Sequence, residues 1–179
     1  MIQYQCHFSG VVDEELRWVV SPMPGDLTHQ ALLRCKQLIL DNTGEDYSFE
    51  MLQNMPVSPI CGSLLLIPRD LAKEDAIAEN EIHGILWAMR LDQQTVRVLT
   101  ILVDSRHRLK GYAAKAWHRF VQMAIEDGAS NVTLEVRQEN DIAFDFYSRR
   151  GLLALGRLSN YYRDTRGIVM YGPLVHNVA

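Results

Sequence analysis

The sequence predicts a single α/β domain in which a central mixed, mostly antiparallel sheet is flanked by about four helices. The clearest strand is Val132–Arg137, where apolar and polar residues alternate as they do in a half-buried strand. The clearest helix precedes it and ends at Asp127-Gly128, where the glycine suits a left-handed C-terminal cap. Its apolar face repeats at helical spacing: Ala113, Ala116, Trp117, Phe120, Val121, Ala124 and Ile125.

The first third of the chain predicts a short strand followed by a long helix. The strand is Trp18–Ser21, and the prolines at 22 and 24 end it. Asp26 is the predicted N-cap of the helix, which extends to about Leu40. Its predicted inward face consists of Ala31, Leu32, Cys35, Leu38 and Ile39.

The whole chain has the predicted element order strand, two helices, three strands, helix, strand, helix and two strands. A short second helix near Tyr47–Asn54 ends before Pro56. The next three strands are Cys61–Ile67, Ile82–Arg90 and Thr95–Val103, the last two joined by a turn at residues 92–94. A last helix, Ile142–Arg150, ends at Gly151.

Composition narrows the function classes. The 179 residues suit one domain, residues 1–179, and a hydrophobic content of 47% with a net charge of −4 indicates a globular chain that is neither disordered nor a general nucleic-acid binder. The three cysteines have no CxxC spacing, no leader precedes the domain and no apolar run reaches membrane-spanning length, so we expect a cytoplasmic protein without a membrane partner. The six histidines lack ligand spacing, which predicts no metal site.

A glycine-containing turn begins the clearest helix. Arg108-x-x-Gly111-x-Ala113 follows the apolar run Val96–Val103. Backbone N–H groups at such a turn, together with the helix dipole, favour an anion, and the small side chains let phosphates approach the backbone. Taken alone, this turn is better explained as an ordinary strand-to-helix connection, because short glycine-containing turns are common at helix starts.

The residues after this helix extend the pattern. Leu134-Glu135-Val136-Arg137 is followed by Asn140 and, seven residues later, by Tyr147. With the glycine turn, this order resembles the GNAT superfamily of acetyl-CoA-dependent N-acetyltransferases. It is most similar to the enzymes that acetylate protein N-terminal amines, such as the ribosomal-protein alanine acetyltransferases. The resemblance covers roughly the last two fifths of the chain and implies the GNAT fold, with a splayed strand pair that admits the pantetheine arm.

The resemblance also implies roles for individual residues. Glu135 would be the general base, directly or through a water, and Tyr147 the acid that protonates the leaving thiolate. An amide near Leu102 or Val103 would stabilise the oxyanion. The implied acceptor-binding residues are Tyr47, Tyr161 and Tyr162. The implied acetyl-CoA-binding residues are Ile101, Leu102, Val103, Arg108, Leu109, Lys110, Gly111, Tyr112, Ala113, Ala114 and Asn140.

Several alternatives stay open at the level of sequence. Asn140 also suits a helix N-cap, and Tyr147 a packed core aromatic. The acceptor is expected to be a protein or peptide N-terminus, with a small amine such as a polyamine, amino acid or antibiotic as the alternative. A non-catalytic acyl-CoA-binding module is a further one. The charged segment 68–81 is predicted to be a long solvated loop that could attract a cationic acceptor. Residues 1–16 are predicted to add an edge strand, at a possible homodimer interface. Residues 175–179 are predicted to be a tail.

Overall fold

The computed structural model describes residues 15–78, 80–162 and 165–175, and these residues contain one seven-stranded sheet of order β1-β2-β3-β4-β5-β7-β6. Its strands are β1 (Leu16–Val20), β2 (Leu64–Pro68), β3 (Gly84–Arg90), β4 (Thr95–Val103), β5 (Asn131–Arg137), β6 (Leu153–Tyr162) and β7 (Thr165–Pro173). The helices are α1 (His29–Thr43), α2 (Phe49–Gln53), α3 (Lys73–Ala78), α4 (Tyr112–Glu126) and α5 (Asp141–Ser148). This is the predicted α/β arrangement, a mixed sheet with helices on both faces.

The sheet separates two hydrophobic cores. On one face, α4 and α5 pack over a cluster that includes Phe120, Leu134 and Met170. On the other face, α1, α2 and α3 pack over a cluster that includes Trp87 and Leu65. Alternation along β1 to β4 divides these four strands between the two cores, as the period of two requires.

Helix α1 confirms the predicted inward face and corrects its start. The five predicted inward residues are all buried. Asp26, however, lies in a single 3₁₀ turn, Pro24–Asp26, and the N-cap is Thr28, whose hydroxyl accepts a hydrogen bond from the Ala31 amide at 3.1 Å. Both residue types cap helices, and the prolines hold the chain in a separate turn until Thr28.

The segment 68–81 is not simply a charged loop, because it contains α3. Ala76 of this helix is completely buried, while Glu74 and Asp75 in its first turn are exposed. Carboxylates in a first turn suit the helix dipole. The sheet is therefore flanked by five α-helices among the described residues, one more than expected.

Two terminal predictions fall mainly outside the described part of the chain. The extra edge strand proposed for residues 1–16 and the tail at residues 175–179 are described only at Glu15, Leu16 and Val175. Leu16 is the first residue of β1, so this strand begins two residues before the predicted Trp18.

The sheet opens between β4 and β5. These strands pair in parallel at only three positions, from Thr95 with Asn131 to Arg97 with Thr133. On the other edge of β4, Trp87 of β3 faces Thr100 and Ala88 faces Val98, so Leu99 is the extra residue of a β-bulge. Because a bulge bends its strand, the ends of β4 and β5 diverge beyond it and expose backbone on both sides of a cleft.

Candidate active site

The loop that joins β4 to α4 presents a row of free amides, and we call residues 109–114 the cofactor loop. Leu109 and Gly111 both adopt left-handed backbone conformations, with φ of 63° and 81°. The amides of the six loop residues have no acceptor among the described residues, and the helical ladder begins only at Lys115, whose amide donates to the Gly111 carbonyl at 3.1 Å. Successive free amides at a helix N-terminus form an anion-binding concavity.

The open space above the loop also favours anion binding. A Cβ added at Gly111 would meet no atom within 4 Å, so an anion can approach the backbone there. The Leu109 side chain is fully exposed and leaves the amides uncovered. Tyr112 is buried instead: the residue is 5% exposed, and its carbonyl accepts a hydrogen bond from the Trp18 indole at 2.9 Å.

Asp104 fixes the turn that leads into this loop. Its buried carboxylate accepts hydrogen bonds from the Arg106 amide at 3.0 Å and from the Arg34 guanidinium of α1 at 2.7 Å. The Arg106 guanidinium also binds it, at 2.9 Å, and the bonds to Arg106 and Arg34 hold the pKa of Asp104 well below its usual range. Asp104 and Arg34 could not be paired from the sequence, because they are 70 positions apart and no local pattern signals their contact.

Arg108 has a structural partner as well. Its Nη2 atom donates to the Asn42 side chain at the end of α1, at 2.6 Å. Arg108, the first residue of the glycine turn, is thus bonded to α1, which packs on the face of the sheet opposite to α4.

Glu135 lies on the α1/α2 face of β5, between the buried residues Leu134 and Val136, which point to the other core. Its Oε2 atom is 2.9 Å from Nη2 and 3.1 Å from Nε of Arg97, and its side chain is only 14% exposed. The carboxylate is therefore held at the point where β4 and β5 begin to separate. Arg97 is a site residue that sequence analysis did not identify.

A second polar group connects the α1–α2 segment to the same strand. Glu45 receives hydrogen bonds from the Tyr47 hydroxyl at 2.6 Å and from Nη2 of Arg137 at 3.3 Å. Lys36 of α1 donates to the Tyr47 carbonyl at 2.5 Å and also contacts Asp46. The predicted acceptor residue Tyr47 is thereby placed beside β5, on the same face as Glu135.

Tyr147 lies on the other face of the sheet. The residue is 5% exposed, and its ring packs 5.3 Å from Trp117 of α4 and 5.1 Å from Phe146, measured between ring centroids. It shares its core with Leu134 and Val136 of β5. Base and acid candidates therefore occupy opposite faces of one strand, rather than a single side-chain cluster.

The remaining predicted site residues fall into three groups. Asn140 is the N-cap of α5, and its Oδ1 atom accepts a hydrogen bond from the Ala143 amide at 3.0 Å. Ile101, Leu102 and Val103 form the end of β4 that lies beyond its pairing with β5. The backbone of Tyr161 and Tyr162 ends β6, but their side chains lie outside the described residues.

Within the described residues, no group of three or more His, Cys, Asp or Glu side chains is arranged to hold a metal ion. Across the same residues, no helix combines the length and apolarity needed to cross a membrane.

A protein-family model matches the part of the chain that contains the open β4–β5 pair, the bulge and the anion-binding start of α4. The model of the acetyltransferase (GNAT) family matches residues 34–152. The chain belongs to this family. It is an acetyltransferase, and acetyl-CoA is its acetyl donor.

Solved structures share the GNAT fold over nearly the whole chain. Ard1 from Thermoplasma volcanium superposes with a TM-score of 0.75 at 18% identity, covering 90% of this chain and 99% of that one. The ribosomal-protein-S18-alanine N-acetyltransferase from Escherichia coli gives 0.67 at 16% identity, covering 89% and 94%. Arabidopsis thaliana Naa50 in complex with the bisubstrate analogue CoA-Ac-MVNAL gives 0.67 at 15% identity, covering 88% and 98%. No curated protein sequence matches the chain.

The GNAT site fits its acetyl donor. The donor carries a pyrophosphate, and the cofactor loop offers free amides with open space over Gly111. Its pantetheine arm needs a strand edge to pair with, and the unpaired ends of β4 and β5 provide one.

Proposed function

We propose that this GNAT acetyltransferase acetylates the N-terminal amine of proteins or peptides by direct attack of the amine on acetyl-CoA. One observation carries the chemistry: Glu135 and Tyr147 stand on opposite faces of the strand that borders the open cleft. A base is thereby available on the face of α1 and α2, and an acid on the face of α4 and α5.

Glu135 is the proposed general base. An ammonium group cannot attack a carbonyl carbon, so the acceptor must lose a proton to the carboxylate, directly or through a water. The Arg97 guanidinium fixes the carboxylate at 2.9 Å and keeps it oriented towards β4. Arg97 is then a positioning residue for the base.

Tyr147 is the proposed general acid. When the bond between the acetyl carbon and sulfur breaks, the sulfur takes the electron pair and needs a proton, which the Tyr147 hydroxyl donates. Packing against Trp117 and Phe146 restricts the ring, so the hydroxyl direction is set before the donor binds. A backbone amide at Leu102 or Val103 stabilises the negative oxygen of the intermediate.

The acceptor binds on the α1/α2 face in this proposal, between the α1–α2 segment and the β6–β7 hairpin. Tyr47, anchored through Glu45 to Arg137, forms one wall. Tyr161 and Tyr162, at the end of β6, are the proposed residues of the other. The S18-alanine enzyme and the peptide-linked analogue in Naa50 support a peptide N-terminus as the acceptor.

The experiment is a panel of short peptides that differ in their first two residues, offered with acetyl-CoA and read by free-thiol release. Mass spectrometry of the product locates the acetyl group. Each peptide is paired with a copy whose N-terminus is formylated but whose lysines are free. Spermidine and free amino acids are included at equal concentration.

Acetylation of free but not formylated N-termini is the expected result. Faster turnover of spermidine than of every peptide would assign the enzyme to small amines instead. Acetyl-CoA binding without thiol release from any amine would leave only a binding module.

A further inference from the structure

Two histidine rings meet at the turn that leads into the cofactor loop. His83 precedes β3, and His107 lies in the 3₁₀ turn Ser105–His107 that leads into the loop. Their ring centroids are 5.0 Å apart with an interplanar angle of 77°, an edge-to-face contact. The backbones meet there too, since the Asp104 amide donates to the His83 carbonyl at 2.7 Å. The pair therefore joins the start of β3 to the turn that holds the loop.

The polar atoms of this pair are unusual. The Nδ1 atoms of both rings are buried and have no hydrogen-bond partner among the described residues. The Nε2 atom of His83 lies 3.0 Å from Oε2 of Glu81, so this ring has one polar anchor. A proton added to Nδ1 of His107 would place a charge at a buried atom that no acceptor among residues 15–78, 80–162 and 165–175 contacts.

We propose that the neutral His107 ring, packed on His83, holds the cofactor loop in its phosphate-binding conformation, so that acidification weakens binding of the coenzyme A pyrophosphate. His107 is thus a positioning residue with a built-in pH dependence. This inference rests on the assignment of the loop to the donor in the proposed function.

Burial and most of the surrounding charges lower the pKa of His107. Burial makes the largest contribution to lowering the pKa of His107, and the neighbouring His83 and Lys110 lower it further. Arg106 acts in the same sense, while Asp104 opposes it. Asp104 is itself bound to Arg34 and Arg106, and Glu81 faces the far side of the pair through His83.

The direction in which the stability of the loop changes with pH follows from this lowered pKa. The folded loop prefers the neutral ring, so its stability is complete above the ordinary histidine pKa of about 6.5. That stability is lost as the pH falls from there through the lower pKa of the folded state.

Calorimetric titration with dephospho-CoA tests the inference, because this probe keeps the pyrophosphate but lacks the 3′-phosphate, which itself titrates near pH 6. Wild type, His107→Phe and His118→Phe are titrated at pH 7.5 and 5.5. Phenylalanine at 107 retains a ring against His83 but cannot be protonated. His118 is an exposed histidine of α4 and serves as the matched control.

We expect the wild-type Kd to rise by at least about fivefold on acidification, the lower end of typical coupling between sites. The His118→Phe variant should behave as wild type. The His107→Phe variant should keep a nearly constant Kd. Should His107→Phe fail to fold, His107→Gln removes the same titration.

An independent readout uses the protein without ligand. The ring resonances of His107 report its titration by NMR, and they should shift at a pH below the ordinary histidine pKa of about 6.5. Melting temperatures of wild type and His107→Phe should diverge below about pH 6.5, with wild type losing more.

The outcomes separate the two levels of the proposal. A wild-type Kd that stays constant or falls on acidification, or a His107→Phe variant with the same pH dependence as wild type, overturns the role of His107 alone. Absence of dephospho-CoA binding at pH 7.5 overturns the assignment of the cofactor loop, and this inference with it.

Discussion

Arg97 and Glu135 form an ion pair at the closed end of the β4–β5 cleft. Arg97 is the last residue of β4 that pairs with β5, and Glu135 lies two residues past its partner Thr133. The contact of 2.9 Å between Nη2 and Oε2 therefore runs diagonally between the strands at the place where they separate. It combines two tasks, since it closes the base of the cleft and fixes the proposed catalytic carboxylate.

Removing the guanidinium should destabilise the fold. Arg97→Met leaves the Glu135 carboxylate, 14% exposed, without its cation, so the free energy of unfolding should fall by about 1–3 kcal/mol. The double variant Arg97→Met/Glu135→Met should lose less than the sum of the two single variants, because neither charge is left unpaired. Urea unfolding measures all three. The exposed pair Lys73–Glu74, 3.7 Å apart, is the control and should couple by less than about 1 kcal/mol. Strict additivity at 97 and 135 would contradict this account of the ion pair.

Gly111→Asp should abolish coenzyme A binding. The new carboxylate would project into the open space over the cofactor loop and repel the pyrophosphate. Gly128→Asp is the matched control, because Gly128 follows the other end of α4, has φ of 88° and is equally open. Both variants carry the strain of a side chain at positive φ, about 1–2 kcal/mol. Calorimetry should find binding lost only in Gly111→Asp, and equal affinities in the two variants would remove the loop from the site.

Tyr147→Phe should reduce turnover and spare the fold. The ring contacts with Trp117 and Phe146 remain, so the melting temperature and the acetyl-CoA affinity should stay near wild type. Loss of the proton donor should lower kcat by about 10²- to 10⁴-fold, the usual contribution of a positioned acid. Tyr147→Leu is the comparison, since it loses both the hydroxyl and the ring and should also melt earlier. Wild-type kcat in Tyr147→Phe with the best acceptor would exclude the residue as the acid.

Features that depend on neighbouring residues could be predicted from the sequence, whereas contacts between distant residues could not. Caps, periodic faces and the glycine turn are set within a few residues, so β4, the N-cap role of Asn140 and the inward face of α1 were predictable. Arg34–Asp104 and Arg97–Glu135 join residues 70 and 38 positions apart, and only the fold brings them together. Helix α3 was missed because it is only six residues long and its one fully buried residue is the small Ala76, which gives little periodic signal.

Asp104 should make stability depend on pH at the acid end. Arg106 and Arg34 hold its pKa well below the ordinary aspartate value, so its stabilisation is complete above about pH 3.9 and is lost as the pH falls towards the pKa of the folded state. Asp104→Asn should therefore be less stable than wild type at pH 7 and at pH 5, and the difference should shrink below pH 4. Urea unfolding at several pH values measures it. Asp70→Asn, at an exposed position, is the control. A difference that grows on acidification would have the wrong sign for this mechanism.

Glu45→Gln should act on the acceptor and not on the donor. Its carboxylate holds both the Tyr47 hydroxyl at 2.6 Å and the Arg137 guanidinium at 3.3 Å, and an amide cannot accept both bonds with equal strength. The KM for the best peptide should rise by about fivefold or more, in the range of one lost charge-assisted bond, while the KM for acetyl-CoA should not change. The control, Glu74→Gln with Asp75→Asn, neutralises the exposed first turn of α3 and should leave both constants near wild type. Steady-state kinetics with each substrate varied in turn provides the measurement. If the α3 variant instead loses spermidine acetylation and Glu45→Gln does not alter peptide kinetics, recognition depends on the acidic helix and the acceptor is a small cation.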